Sequence, residues 1–329
     1  MKIGITYDLR DDYIKEGYSL EETAELDRIS TIDAIDNAIK SLGHQTERIG
    51  NIKSLIKNLN KGNRWDLVFN ISEGLHGKYS RESQVPAILE AYRIPYTFSD
   101  PLVLAISLKK DLAKLIVKSY GYRTPDFVVV TDEKELSFIN IDFPLFIKPI
   151  AEGTSKGITE KSKVNNFKEL KENCIELLNK FKQPVLVEKY CSGREFTAGL
   201  IGTGDNARYI GAIEVMLNEK AEKHAYTYSN KENCEELVEY KLVTDNVLNE
   251  KLKDISESIW RLLDCRDAGR MDLKMDENND LNFIEVNPLA GLHPEHSDLP
   301  IIFNKLNIPY QKLIEYIINS AIERIEVKK

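Results

Sequence analysis

The sequence is poor in the residues that staple or metallate small folds. Its 329 residues hold only four cysteines, Cys174, Cys191, Cys234 and Cys265. They lie far apart with no C-x-x-C spacing, which excludes a disulfide scaffold and a zinc ribbon and leaves them reduced and structural. No apolar run approaches the roughly 18 residues needed to span a bilayer. Excess positive charge is also missing: a net charge of −8 and a pI near 5.4 give no electrostatic basis for nucleic-acid or acidic-membrane binding. There is no Walker A loop, no G-x-G-x-x-G, no internal repeat and no low-complexity tract. The histidine, serine and aspartate spacings support no nucleophilic triad. Met1–Tyr7 reads as a buried strand with no leader pattern after it, so cytoplasmic residence is the default expectation.

What is present fits a large globular protein. Apolar residues make up 42% and charged residues 30% of the chain, and 37.7 kDa is long for one core, so two or three packed units are expected. Up to about residue 100 strand and helix alternate. Lys2–Tyr7 and Leu67–Asn70 read as strands, and Gln84–Tyr92 as a helix. Leu20–Leu42 reads as a long amphipathic helix stopped by Gly43. That pattern predicts a small parallel sheet with ligand loops at its strand ends. The predicted units are 1–100, 101–187 and 188–329. The second opens on a helix running to Tyr120 and contains the strand Leu145–Lys148 and the helix Phe167–Lys180. The third carries a polar excursion at Lys220–Glu236 and closes on the amphipathic helix Tyr310–Arg324.

The most informative stretch is a hairpin centred on Asn278-Asn279. Period-2 pairing sets Asp272 opposite Glu285 and Arg270 opposite Asn287, with Met271 and Leu273 facing Val286 and Ile284. Facing carboxylates cost up to about 1 kcal/mol unless a cation sits between them. Asp, Glu and Asn offer only oxygen, which suits Mg²⁺ rather than zinc. Read alone, a solvated surface hairpin accounts for the residues equally well.

Lys148 ends an apolar strand and precedes Glu152-Gly153-Thr154-Ser155-Lys156-Gly157, whose glycines let backbone N–H groups approach an anion. A plain connector fits that loop as well. Val185–Tyr190 is an apolar strand turning polar at its end, followed by Gly193-Arg194-Glu195, suited to an adenine and a ribose or to an ordinary crossing. Lys109, Lys110 and Lys114 open a helix, where cations oppose the dipole unless an anion is near; a solvated basic turn is the plainer reading. The loop after Asn70, with Glu73, His76 and Glu82, lies beyond a strand's carboxyl end, and His293 and His296 follow Gly291 close to the hairpin.

In chain order these pieces resemble the D-alanine–D-alanine ligase-like branch of the ATP-grasp superfamily over essentially the whole chain. The matching segments are Glu73-Gly74-Leu75-His76-Gly77 with Glu82, Ile94-Pro95-Tyr96-Thr97, Lys110, and Phe146-Ile147-Lys148-Pro149 with Gly153-Thr154-Ser155. They continue with Glu188-Lys189-Tyr190, Gly193-Arg194-Glu195, Arg270-Met271-Asp272 and Glu285-Val286-Asn287-Pro288 with Gly291. The resemblance implies an α/β (α+β) three-domain architecture, an N-terminal parallel α/β sheet followed by two α+β domains that clamp ATP. It implies an ADP-forming carboxylate–amine ligase acting through an acyl phosphate on two amino acids or amino-acid-like substrates. Lys110, Lys148, Thr154, Ser155 and Lys231 would meet the phosphates, and Glu188, Lys189, Tyr190 and Glu195 the adenosine. Asp272, Glu285 and Asn287 would hold two Mg²⁺ ions, replaceable by Mn²⁺. Arg270 and the Gly291 N–H would stabilise the oxyanion, with His76, Glu82, His293 and Ser297 near the substrates. No nucleic-acid or membrane partner is implied, and a homodimer is one assembly of such proteins.

Departures from the family pattern gather at the amino-acid site. The Gly-Gly-x-Ser-x-Glu segment that holds the first substrate's ammonium is replaced by Tyr7-Asp8-Leu9-Arg10-Asp11-Asp12. Glu232 stands where an aromatic is expected and Phe98 where a glycine is. One extra residue lies between Gly291 and Pro300. A nucleotide-binding interaction module that has lost catalysis is the alternative; an oxyanion donor at Arg270 argues against it.

Overall fold

Lys2–Tyr7 and Leu67–Ile71 are apolar runs buried on both faces, the pattern that parallel strands require. The structure, a computed structural model, describes residues 1–217 and 238–327. In it β1 (Lys2–Tyr7) pairs in parallel with β2 (Gln45–Gly50) and β3 (Leu67–Ile71), in the order β2-β1-β3. Helices α1 (Arg10–Lys15), α2 (Ile29–Ser41), α3 (Ile52–Asn60) and α4 (Gln84–Ala91) accompany this sheet. After α5 (Pro101–Leu108) and α6 (Lys110–Ser119) comes an antiparallel sheet of β4 (Phe127–Val130), β5 (Leu145–Pro149), β6 (Lys163–Val164) and β7 (Val185–Lys189), packed against α7 (Phe167–Phe181). A second antiparallel sheet, ordered β10-β9-β8-β11-β12, joins β8 (Glu195–Ile201), β9 (Arg208–Leu217), β10 (Val238–Leu242), β11 (Ala268–Met275) and β12 (Leu281–Asn287). Helix α8 (Asn246–Leu262) packs on it, and α9 (Asp298–Lys305) and α10 (Tyr310–Val327) complete the described chain. Among the described residues no helix is long and apolar enough to cross a membrane.

The expected long helix over 20–42 is half as long. Its first part is a series of turns, because other partners take the backbone groups a helix would need. Arg10 donates to the carbonyls of Thr23 and Ala24 at 3.1 and 2.5 Å, and Asp27 pairs with Asp8 and Arg10 in a short parallel bridge. The predicted helix to Tyr120 is two, broken at Lys109, and the Lys110 N–H leaves the helical ladder for the Ile150 carbonyl at 3.2 Å. The hairpin pairs Asp272 with Glu285 and Arg270 with Asn287 as expected, but Leu273 meets Phe283 instead of Ile284. A β-bulge at Ile284 absorbs the extra residue and turns that side chain toward the cleft between the sheets. The expected excursion Lys220–Glu236 lies outside the described residues.

Closure of the chain depends on Asp267, whose side chain is fully buried. It accepts two hydrogen bonds from Arg324 of α10, at 2.6 and 2.9 Å, one from Ser320 at 2.8 Å and one from the Phe98 N–H at 2.7 Å. Phe98 has φ +72°, the left-handed backbone that glycine adopts freely, and its ring is buried edge-on against Phe69. The Asp267 contact holds this conformation where the family pattern has glycine. Through Arg324 the same carboxylate docks α10 so that Leu313, Ile314, Ile317 and Ile318 enter the core of the N-terminal sheet with Ile3, Ile5 and Phe69. Asp267→Asn keeps the shape and removes the charge. It is expected to lower stability by about 3 kcal/mol or more, the usual cost of breaking a buried pair, as measured by urea unfolding. A loss no larger than that of a surface substitution would refute the role.

Candidate active site

Two cavities open between the sheets and meet at a common wall. The smaller, about 100 Å³, lies between β5 and β7 on one side and β11 and β12 on the other, with Lys148, Ser155, Glu188, Tyr190, Glu195, Asp272 and Ile284 among its walls. The larger, about 210 Å³, is bounded by the turns before α2, the loop after β3, the Gly291 segment and the start of α9. Thr154, Arg270 and Glu285 line both. Among the expected substrate residues, Glu82, His293 and Ser297 line the larger cavity. His76 does not; it is exposed and lies 3.1 Å from the Tyr18 hydroxyl.

Lys148 reaches the cleft because β5 carries it on the face opposite Ile147, which fills the core between this sheet and α7. Its ammonium is 2.7 Å from Glu188, and the other Glu188 oxygen is 2.9 Å from Lys114. Lys114 has no exposed surface and also donates to Thr124 at 2.9 Å. Burial alone raises a carboxyl pKa, but the two lysines overcome it and hold Glu188 down at about 2. Burial drives the Lys114 ammonium below its ordinary value, while for Lys148 the attraction of Glu188 wins over burial and raises it. The basic helix start is therefore not a solvated turn. Lys110 and Lys114, one turn apart on α6, are both buried, and Lys110 donates to the Glu152 carbonyl at 2.7 Å and faces Glu285 at 3.4 Å.

The opposite wall holds the hairpin charges. Arg270 is in direct contact with Asp272 and lies 3.5 Å from Asp298, while Asp272 also accepts from Thr197 at 2.8 Å. Burial, reinforced by Glu285 and Asp298, pushes the Asp272 carboxyl up to about 6 in spite of Arg270. Burial also opposes ionisation of Glu285, but Lys110, Arg270 and Lys148 together keep it well below the usual carboxylate range. The amide of Asn287 donates to Glu285 at 3.3 Å. Among the described residues no three His, Cys, Asp or Glu side chains converge as a metal set. Here two facing carboxylates and an amide supply oxygen donors alone. That donor set fits Mg²⁺, which keeps waters and substrate oxygens in its remaining positions.

Phe146 and Tyr190, both in the wall of the smaller cavity, form a stacked pair at 6.2 Å with planes 27° apart. The N–H groups of Lys189 and Tyr190 already donate to Asp126 and Pro144 carbonyls, so any main-chain bond from these two residues to a base uses their carbonyls. Glu195 is held by Lys274 at 2.6 Å. In the glycine loop Thr154 and Ser155 both have positive φ, 47° and 56°, an unusual pair of left-handed non-glycine residues where the loop passes between the cavities. The Gly291 N–H segment lies beside Ser297, whose hydroxyl accepts from the His293 N–H at 2.9 Å. Lys231 lies outside the described residues.

No local pattern marks Glu25, yet it ties this site together. Its carboxylate accepts from Arg81 at 2.8 Å and from the Gly153 N–H at 2.6 Å, and Lys156 lies 3.3 Å away. Burial opposes its charge, but Arg81 and Lys156 hold it near a pKa of 2. Glu25 thus fastens the turns before α2 to the glycine loop.

Comparison with known proteins agrees with this geometry. The model for the D-ala D-ala ligase C-terminus matches residues 116–319. A D-alanine–D-alanine ligase of Aquifex aeolicus is 32% identical over 293 residues, covering 88% of this chain and 94% of the relative. Among solved structures, the D-alanine–D-alanine ligase of Bacillus anthracis complexed with ATP superposes with a TM-score of 0.75 at 22% identity, covering 100% of both chains. The VanG D-Ala:D-Ser ligase of Enterococcus faecalis gives 0.72 at 22%, covering 97% and 99%; at such identities the likeness is one of fold. The matched segment spans both sheets that face the cleft and the relative aligns over nearly its whole length, so the chain belongs to the D-alanine–D-alanine ligase family, with the ATP-grasp fold.

Proposed function

We propose that the chain joins the carboxylate of one amino acid or amino-acid-like substrate to the amine of another, using ATP and releasing ADP and phosphate. The single observation that carries this reading is the common wall of Thr154, Arg270 and Glu285, which brings the cleft between the two antiparallel sheets and the larger, charge-lined cavity to one reacting point. D-Alanine is the first substrate to try, because it is named for the relatives; the changed N-terminal segment makes a wider panel necessary. We also assign the protein to the cytoplasm, where ATP is available.

In this reading adenosine lies against Phe146, Tyr190 and Ile284, with Glu195 at the ribose. Lys148 and Lys110 meet the phosphates beneath Thr154 and Ser155. Asp272, Glu285 and Asn287 hold Mg²⁺ or Mn²⁺, in two sites, which when bound neutralises charge on the phosphates. A carboxylate attacking the γ-phosphorus needs alignment and charge neutralisation, and no protein nucleophile. The acyl phosphate carbon is next attacked by the amine. Negative charge then grows on the carbonyl oxygen, where Arg270 and the Gly291 N–H donate, and phosphate leaves. Glu82, His293 and Ser297 line the cavity that positions the two substrates.

Lys114 acts at a distance. One carboxylate shared by two lysines leaves a net positive charge, which Lys148 presents to the cleft; without Lys114, Glu188 cancels Lys148. Lys114→Met is therefore expected to weaken ATP binding about tenfold, or 1.4 kcal/mol, with adenosine affinity nearly unchanged in calorimetric titration. Equal losses for both ligands would mean that the substitution only damages the adenosine cavity.

Phosphate release from ATP is expected to require Mg²⁺ and a suitable acid and amine together, read by a colorimetric assay over pairs of D- and L-amino acids with mass spectrometry of products. Asp272→Asn should abolish turnover. Arg270→Ala should lower kcat by about 100-fold or more, the usual cost of an oxyanion donor, while ATP affinity changes little. Loss of ATP binding in place of turnover would reject the Arg270 role.

A further inference from the structure

Gly199 decides what stands beside Arg270. The two residues are paired in register on β8 and β11, so they share one face of the sheet. A side chain at position 199 would be crowded at once: an added Cβ would lie 3.2 Å from Leu299 and 3.3 Å from Ile302 of α9. With glycine there, the helix packs close to the strands and its first turn carries Asp298 to the guanidinium. The Asp298 carboxylate is 4% exposed and lies 3.5 Å from Arg270 Nε. The positive end of α9 favours an acid anywhere in that turn, whereas the close approach at Gly199 sets this one against Arg270.

Arg270 is thus held at two edges by carboxylates from different elements. Nη1 contacts Asp272 on its own strand, and Nε faces Asp298 on α9. The two acids have different duties. Asp272 also accepts from Thr197 at 2.8 Å and stands opposite Glu285 in the oxygen set suited to a cation. A carboxylate offers about four lone-pair positions, so a metal and a guanidinium can share it, but their charges repel across it and weaken its grip on Arg270. Asp298 lines the larger cavity and not the smaller one, so its grip is independent of that sharing. Because both groups are buried, the contact escapes most of the screening that makes surface pairs weak. We propose that Asp298 is a positioning residue: it anchors the Nε edge of Arg270, which leaves Asp272 able to take the metal while the guanidinium stays aimed into the cavity. The assignment rests on the ligase reading for the task of Arg270 and adds the group that keeps it in place.

Two arms of the test need no turnover. In urea unfolding of the metal-free whole chain, Asp298→Asn should lower the midpoint, and should lower it much less when Arg270→Met is already present, because the pair is then gone. In the second arm Mn²⁺ is titrated into the protein with one equivalent of ADP and followed by the electron paramagnetic resonance of the free ion. Asp298→Asn should weaken Mn²⁺ binding about tenfold, the usual effect of a residue that supports a metal ligand from behind. With Arg270→Met present, the same substitution should change it about twofold or less. Asp298→Glu, which keeps the charge, should retain more Mn²⁺ affinity than Asp298→Asn. Equal effects with and without Arg270 in either arm, or no advantage of glutamate over asparagine, would overturn the assignment. In the turnover arm Asp298→Asn should lower kcat about tenfold with the KM for ATP nearly constant; a raised KM for ATP at unchanged kcat would overturn it as well. If no acid and amine pair supports turnover, the ligase reading fails, and the unfolding and Mn²⁺ arms still decide whether Asp298 anchors Arg270.

Discussion

One carboxylate shared between two buried lysines sets the character of the cleft. Glu188 sits on β7 in the middle of the four-stranded sheet, with Lys148 from β5 on one oxygen and Lys114 from α6 on the other. A buried ion is stable only when its partners are well placed, because desolvation costs several kcal/mol per charge. The triad therefore fixes α6 against the sheet, holds Lys148 at the cleft mouth and leaves one positive charge over. On the facing sheet Arg270, Asp272 and Glu285 form a counterpart that is richer in carboxylate. The two walls therefore differ in sign.

The larger cavity has a different physical basis. Turns and loops make up much of its wall, and Glu25, through the Gly153 N–H and the Lys156 ammonium, couples the turns before α2 to the glycine loop. Arg81 closes the same junction from the loop after β3. The turns before α2, the loop after β3 and the glycine loop thus share one buried cluster.

The parts of the site that were legible in the sequence are those fixed by local periodicity. Alternation along β11 and β12 places Asp272 opposite Glu285 whatever the rest of the chain does, and a polar residue ending an apolar strand marks Lys148. Even there the bulge at Ile284 escaped, because one inserted residue leaves no mark on composition. The helix expected at 20–42 failed for a related reason: its apolar spacing was adequate, but Arg10 and the Asp8–Asp27 bridge took its backbone partners.

By itself the sequence determined the N-terminal parallel sheet, the hairpin register around Asp272 and Glu285, the strand-end lysine and the family, since each is written in neighbouring residues or in their order. Tertiary structure alone decided which charges are paired. Glu25 meets Arg81 across 56 residues and Gly153 across 128, and Lys114 turned from a surface cation into a fully buried one. Whether a buried carboxylate is matched depends on the summed positions of distant cations and on burial. Neither quantity exists until the chain has folded.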